Sequence, residues 1–175
     1  MDWSAIFELL GKVASVLAAL AGGWWAFEKW HKREEHFPRV YFEVAVNFLG
    51  SSQGQIIAEL VATLENKGVV PLKIRAFTFK LLGLRTQDTL ASGGPEIRGQ
   101  LRFPHVVAEG NFMPSTWDYT FIYPGVRTEY NYVCALSSDM LFVRMQSDFE
   151  YLAAGRAHHA AKVLKVPNPS NERTT

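Results

Sequence analysis

Two hydrophobic patterns with different periods divide this chain. From Val13 to Phe27 it runs V-A-S-V-L-A-A-L-A-G-G-W-W-A-F with no charge, and extending back to Trp3 adds only Glu8 and Lys12 as interruptions. Fifteen helical residues cover about 22 Å, short of a hydrocarbon core of roughly 30 Å. The flanks extend the reach: Trp3 at one end and Trp24 and Trp25 at the other stand about 32 Å apart on a helix, the spacing of two interfacial aromatic belts. Glu8 and Lys12 lie four apart in the favourable order and can pair or snorkel. The pattern therefore predicts a transmembrane helix over residues 1–30 with Trp3, Trp24 and Trp25 as interface anchors, and a juxtamembrane stem over 31–38. It is preferred over a signal peptide cleaved at Ala19-Leu20-Ala21, a helix lying flat on a surface, and a buried core helix. Lys29, Lys32, Arg33 and Arg39 follow the span, and only the amino terminus and Lys12 precede it. The positive-inside rule then places the N-terminus outside and the C-terminal domain in the cytoplasm, a single-pass inner-membrane topology.

After Pro38 the period becomes two. Val40, Phe42, Val44, Val46 and Phe48 alternate with Tyr41, Glu43, Ala45 and Asn47, and Ile56, Ala58, Leu60, Ala62 and Leu64 repeat the pattern. These read as two half-buried strands of a hairpin closed by Gly50-Ser51-Ser52-Gln53-Gly54, with Asn66-Lys67-Gly68 supplying left-handed residues for the next reversal. A third strand covers about Val70 to Leu82. Leu72, Ile74 and Ala76 share one parity and Phe77 and Phe79 the other, which predicts a bulge or a change of sheet. Strand signals return near Ile97–Phe103, Thr116–Tyr123, Thr128–Leu136, Leu141–Tyr151 and Ala160–Val166. Pro124-Gly125 is a type II turn signal and Ser137-Ser138-Asp139 another turn. Ala153–Ala161 is open to a helical turn, and Pro167–Thr175 reads as a disordered tail. The fold class is mainly β: the transmembrane helix followed, over residues 39–166, by an antiparallel sandwich or barrel of about eight strands.

Composition narrows function by exclusion. The 175 residues suffice for one ordinary domain plus an appendage, and a hydrophobic fraction of 48% excludes a disordered or disulfide-stapled chain. A net charge of +1 gives no global field to recruit nucleic acid. The single cysteine, Cys134, reads as a small hydrophobe on a strand. No Gly-rich phosphate loop, His-Glu-x-x-His, cysteine pair or Gly-x-Ser-x-Gly appears, so the inventory names no catalytic residue, metal or cofactor. His158 and His159 are adjacent and face opposite ways on a strand, which prevents them from chelating one ion and leaves them an exposed or turn role. The polar grouping with most chemistry is basic. Lys73 and Arg75 share one strand face and Arg98 and Arg102 another, so adjacent strands would gather four cations able to hold a phosphate or nucleotide. The competing reading is ordinary outward charge that protects sheet edges. Trp117, Tyr119, Phe121, Tyr123, Tyr130 and Tyr132 fall at period two and are expected in the core. On the helix, Gly11, Ser15, Ala18, Gly22 and Ala26 form a small-residue seam that would let copies approach closely and form a homo-oligomer.

The segment Gly22-Gly23-Trp24-Trp25-Ala26-Phe27-Glu28-Lys29-Trp30, continuing through Lys32-Arg33-Glu34-Glu35 to Phe37-Pro38-Arg39-Val40, resembles the start of small prokaryotic single-pass membrane proteins of unknown function. Leu64-Glu65-Asn66-Lys67-Gly68-Val69-Val70-Pro71-Leu72 resembles the Asn-x-Gly hairpins of immunoglobulin-like domains. The resemblance implies an immunoglobulin-like architecture. In architecture the chain is also similar to membrane-anchored effectors of bacterial antiviral systems, in which a cytosolic β-domain senses a cyclic nucleotide; no ligand residue carries over. The expected function is a non-enzymatic, membrane-anchored module for protein interaction or self-assembly. The alternative is a ligand-gated membrane effector with a nucleotide on the basic strands, and a hydrolase ranks third.

Overall fold

The structure, a computed structural model, describes residues 3–32, 39–92, 99–152 and 157–167, with side chains described for 11–30 of the first segment. The chain divides into two units, Met1–Phe37 and Pro38–Thr175.

The first unit holds one helix, α1, Trp3–Lys32. Ala, Leu, Lys and Glu favour it, and it tolerates Gly22-Gly23 at a cost of about 1 kcal/mol each. The Ser15 hydroxyl donates to the Gly11 carbonyl at 2.8 Å, and the Lys29 ammonium lies 4.5 Å from the centre of the Trp25 ring. This helix does not support the transmembrane reading. Among the described residues no helix is long and apolar enough to cross a membrane, so the single-pass, inner-membrane assignment and its orientation are withdrawn. Hydropathy explains why. The uncharged run holds eight Ala, Gly or Ser residues against only Val13, Val16, Leu17 and Leu20 as large aliphatics, and Glu8, Lys12, Glu28 and Lys29 confine it to 15 positions. Tryptophan spacing suggested a span that the side chains between do not sustain. Trp24 and Trp25 are exposed on α1, and the Trp3 side chain lies outside the described ones. The seam residues Gly11, Ser15, Ala18, Gly22 and Ala26 are exposed as well, and a Cβ added at Gly11 or Gly22 would meet nothing within 4 Å.

The second unit is a two-sheet antiparallel sandwich. Its strands are β1 (Val40–Ser52), β2 (Gln55–Asn66), β3 (Leu72–Arg85), β4 (His105–Asn111), β5 (Thr120–Ile122), β6 (Arg127–Ser137), β7 (Met140–Tyr151) and β8 (Ala157–Lys165). One sheet has the order β1-β2-β6, the other β4-β3-β7-β8 with β5 paired to the start of β3. Chain segments that follow one another thus change sheets between β2 and β3, β5 and β6, and β6 and β7. The β1–β2 hairpin is tighter than the sequence suggests. β1 runs through Ser52, and Gln53 and Gly54 (φ 53° and 75°) make a two-residue turn.

The parity change in β3 is a bulge. Leu72 and Ile74 are buried, Ala76 takes φ 49°, and Phe77 and Phe79 then turn inward, where the pairing with β7 slips between Arg75 and Thr78. The extra residue keeps the strand in one sheet while moving its apolar side chains to the other parity. Around Phe77 the core is aromatic: Phe42, Phe112, Tyr130 and Phe149 have ring centres 5.0–6.0 Å away, mostly edge to face.

Three local expectations change. Of the strand expected over Ile97–Phe103, residues 97 and 98 lie outside the described residues and 99–103 form no strand; Leu101 makes one isolated bridge to Ser92, and the strand on this edge is β4. Thr116–Tyr123 contributes only the three residues of β5. None of Asn66, Lys67 and Gly68 has positive φ. Asn66 is instead fully buried and bonded on every side. Its amide nitrogen donates to the carbonyls of Val70 (2.8 Å) and Ile122 (2.9 Å), and its side-chain oxygen accepts from the Gly68 N–H (2.9 Å). Its backbone joins Val126 and Gly125, where Pro124-Gly125 forms the expected turn, with Gly125 at φ 76° and Val126 donating to Tyr123.

Candidate functional site

The register of β5 fixes the surface of interest. Leu72 pairs with Ile122, Lys73 with Phe121 and Ile74 with Thr120. Ile122 is buried at 2% exposure, so its neighbours Phe121 (50%) and Tyr123 (57%) point to solvent, and Trp117 (55%) and Tyr119 (46%), in the turn-and-bend connection that leads into β5, are exposed as well. The sequence placed these four in the core. The interior is already filled by Phe42, Phe77, Phe79, Phe112, Tyr130 and Phe149, and only the last two expected members, Tyr130 and Tyr132, turn inward, against Phe77 and Phe79. The Asn66 bond to the Ile122 carbonyl holds the parity. The result is a run of four exposed aromatic side chains, Phe121 and Tyr123 at the outer face of the five-stranded sheet and Trp117 and Tyr119 in the connection before it. The Phe121 and Tyr123 rings meet edge to face, 5.1 Å apart at 78°.

The basic residues expected to converge do not all do so. Lys73 and Arg75 project from the same outer face as Phe121 and are exposed. Among the described residues the Lys73 ammonium has no ion-pair partner, whereas Arg75 Nε is held by Glu150 at 3.2 Å. Arg102 is exposed and lies just before β4, whose first residue pairs with Gly83. That places it about 30 Å along β3 from Lys73. Arg98 is outside the described residues. The arrangement is thus one free cation, Lys73, beside Phe121 and one paired cation, Arg75, two residues further along β3. Isolated exposed apolar residues are ordinary; four exposed aromatics within seven residues are not.

Other polar clusters bond mostly within themselves, except that Arg85 Nε and Asp139 Oδ1 are buried without a hydrogen-bond partner, the two side chains meeting only as an ion pair at 3.6 Å. The Asp88 carboxylate accepts from the Arg85 backbone N–H (2.6 Å) and meets His105 Nε2 (2.9 Å); those bonds, the backbone one first, hold its pKa below the usual carboxylate value. His158 and His159 do face opposite ways. His158 is half-buried, stacked on Phe149 and bonded to the Tyr151 hydroxyl at 2.8 Å, so it is a packing residue and not an exposed one; His159 bonds Asp148 at 2.7 Å outside. Glu43, bonded by the Tyr41 hydroxyl and by Lys162, is likewise held below the ordinary range. Burial pushes the Cys134 thiol up, away from the thiolate a nucleophile requires. Among the described residues no group of three His, Cys, Asp or Glu side chains is placed to hold a metal.

The chain matches no known family model and no curated protein, so the resemblance to single-pass prokaryotic proteins has no counterpart there. Solved structures overlap it distantly. A Bordetella pertussis protein designated ApaA gives a TM-score of 0.47 at 16% identity, covering 74% of this chain and 95% of its own. The structural-genomics target SoR45 gives 0.45 at 15%, covering 75% and 88%, and a protein from Archaeoglobus fulgidus 0.34 at 11%, covering 73% and 98%. Scores of this size carry neither a shared fold nor an activity across to this chain. What stands on the chain's own evidence is a mainly β, antiparallel architecture with an exposed aromatic strip.

Proposed function

We propose that this protein is a non-enzymatic protein-interaction module whose sandwich presents Trp117, Tyr119, Phe121 and Tyr123 as the contact. The observation that carries the reading is the simultaneous exposure of these four side chains, with Phe121 in register beside Lys73. Aromatic residues are enriched at the centres of protein interfaces, where they bury much area at low entropic cost. The occupant that fits is a protein surface offering apolar side chains with a carboxylate beside them, the carboxylate meeting the Lys73 ammonium.

The geometry favours this over a nucleotide or a single-stranded nucleic acid. A single-stranded nucleic acid is held by open aromatic faces in a groove of cations that tracks its phosphates. Here Phe121 and Tyr123 stand nearly perpendicular, Arg75 is engaged by Glu150, and Arg102 is at the far end of β3. The test is site-specific photo-crosslinking in cells, with the reactive side chain at position 117 of the full chain and, as a control, at Tyr41 on the other sheet. The module reading expects a discrete protein adduct from position 117, absent from 41 and lost with Phe121→Ala plus Lys73→Glu. Equal adducts from both positions, or a saturable thermal shift with a cyclic nucleotide that Lys73→Glu removes, would overturn it.

A further inference from the structure

We propose that β6 is a self-pairing edge, through which two copies of this chain join antiparallel into one continuous six-stranded sheet, β1-β2-β6-β6-β2-β1. The inference is independent of the exposed aromatics in and before β5, a strand of the other sheet. β6 pairs with β2 over all eleven of its residues, Gln55↔Ser137 through Glu65↔Arg127, with no register shift. Among the described residues no main-chain hydrogen bond reaches its other side.

Proteins ordinarily blunt such an edge with charge, proline or a bulge, because an unguarded edge is a template for another strand. The other edges of this sandwich are blunted. β1 has a bulge at Phe48/Gly50 and its Glu43 is bonded by Lys162 of β8 at 3.4 Å. β8 carries Lys162, Lys165 and His159, and the pairing of β4 with β3 slips at Leu81/Leu82. β6 has charges only at Arg127 and Glu129. From Asn131 to Ser137 it reads N-Y-V-C-A-L-S, without charge, proline or bulge, and Tyr132 and Val133 are exposed at 42% and 57%. The Tyr130 and Tyr132 rings fasten the strand to Phe77 and Phe79, so the edge is presented rigidly.

A second copy fits this edge by charge. Pairing all eleven residues of β6 with their mates puts Tyr132 on the twofold axis, Asn131 opposite Val133, Glu129 opposite Ala135 and Arg127 opposite Ser137. No like charges meet, and each carboxylate faces a small outward residue. Centring the pair near Glu129 instead would set two carboxylates against each other and shorten the ladder.

The register gives a charge-sensitive test on the full-length protein, measured by sedimentation equilibrium over a range of concentrations. Wild type is expected to be a dimer. Ala135→Glu, which sets a carboxylate against Glu129 twice per dimer, is expected to raise the dimer dissociation constant roughly tenfold or more. Ala135→Lys is expected to retain the dimer, and adding Glu129→Lys to Ala135→Glu to restore it. Ala135 is exposed, and an unchanged circular dichroism spectrum and unfolding midpoint of each variant at low concentration report that the fold is intact. A wild-type protein that stays monomeric at every concentration, as one whose β6 receives a strand from a different protein would, overturns the proposal. So does a dimer that responds identically to Glu and Lys at position 135.

Discussion

Asn66 shows how one buried polar residue organises this domain. Its amide closes the end of β2, the 67–71 connection, β5 and the Pro124-Gly125 turn with bonds that no other side chain supplies. Asn66→Ala would strand the Val70 and Ile122 carbonyls and the Gly68 N–H. Urea unfolding should show a loss of about 3 kcal/mol, from partnerless polar groups more than from lost contact area. Asp88 predicts the acid limb of stability. Its folded pKa is lowered from an ordinary value of 3.8, so the native state binds fewer protons than the unfolded one in this range. Its contribution is complete above the unfolded pKa and is lost as pH falls through the lower folded one. Asp88→Asn should therefore flatten the dependence of the urea midpoint on pH below about 4 and leave its slope near neutrality unchanged. Asn66 was visible in the sequence as a turn residue, and its bonds to Gly68 and Val70 are local, but its partners Ile122, Gly125 and Val126 lie 56 or more residues away, which no local pattern contains.

At the scale of elements, periodicity located most of the strands. β1, β2, β3, β6 and β7 have long alternating runs with one buried face, and the parity break before Phe77 announced the bulge at Ala76. The failures share a cause. β5 is three residues long and β4 follows a polar loop, so neither offers enough turns of the pattern to count. Among the outer aromatics, alternation states that four residues share a face without saying which face is wet. That decision depends on how many aromatics the interior already holds. The bulge makes its own prediction, because Ala76 adopts a conformation that L-residues with a Cβ enter at a cost. Ala76→Gly should raise the unfolding free energy by about 0.5 kcal/mol, the relief of a left-handed alanine exceeding the added freedom of glycine in the unfolded chain. A fall in stability would mean that the surrounding register, and not the residue, sets that angle.

For the whole molecule, the two hydrophobic populations seen along the chain have different outcomes. The period-two population builds the sandwich and leaves an aromatic surplus exposed. The helical population builds α1, whose many small side chains leave it below the apolar content that a crossing requires. Function was the least legible level, since Arg102 stands about the length of β3 from Lys73 and Arg75 while the exposed aromatics came from residues assigned to the core. The central claim is that the strip bearing Trp117, Tyr119, Phe121 and Tyr123 is where a partner protein sits. The most direct measurement is to extend the in-cell photo-crosslinking to a scan of exposed positions over the whole sandwich, with the reactive group at each in turn. One adduct of constant mass is expected, with a yield that peaks at 117, 119, 121 and 123 and falls away at the exposed Asn47 and Val163. A yield that is uniform across the surface, or one that peaks elsewhere, would contradict it.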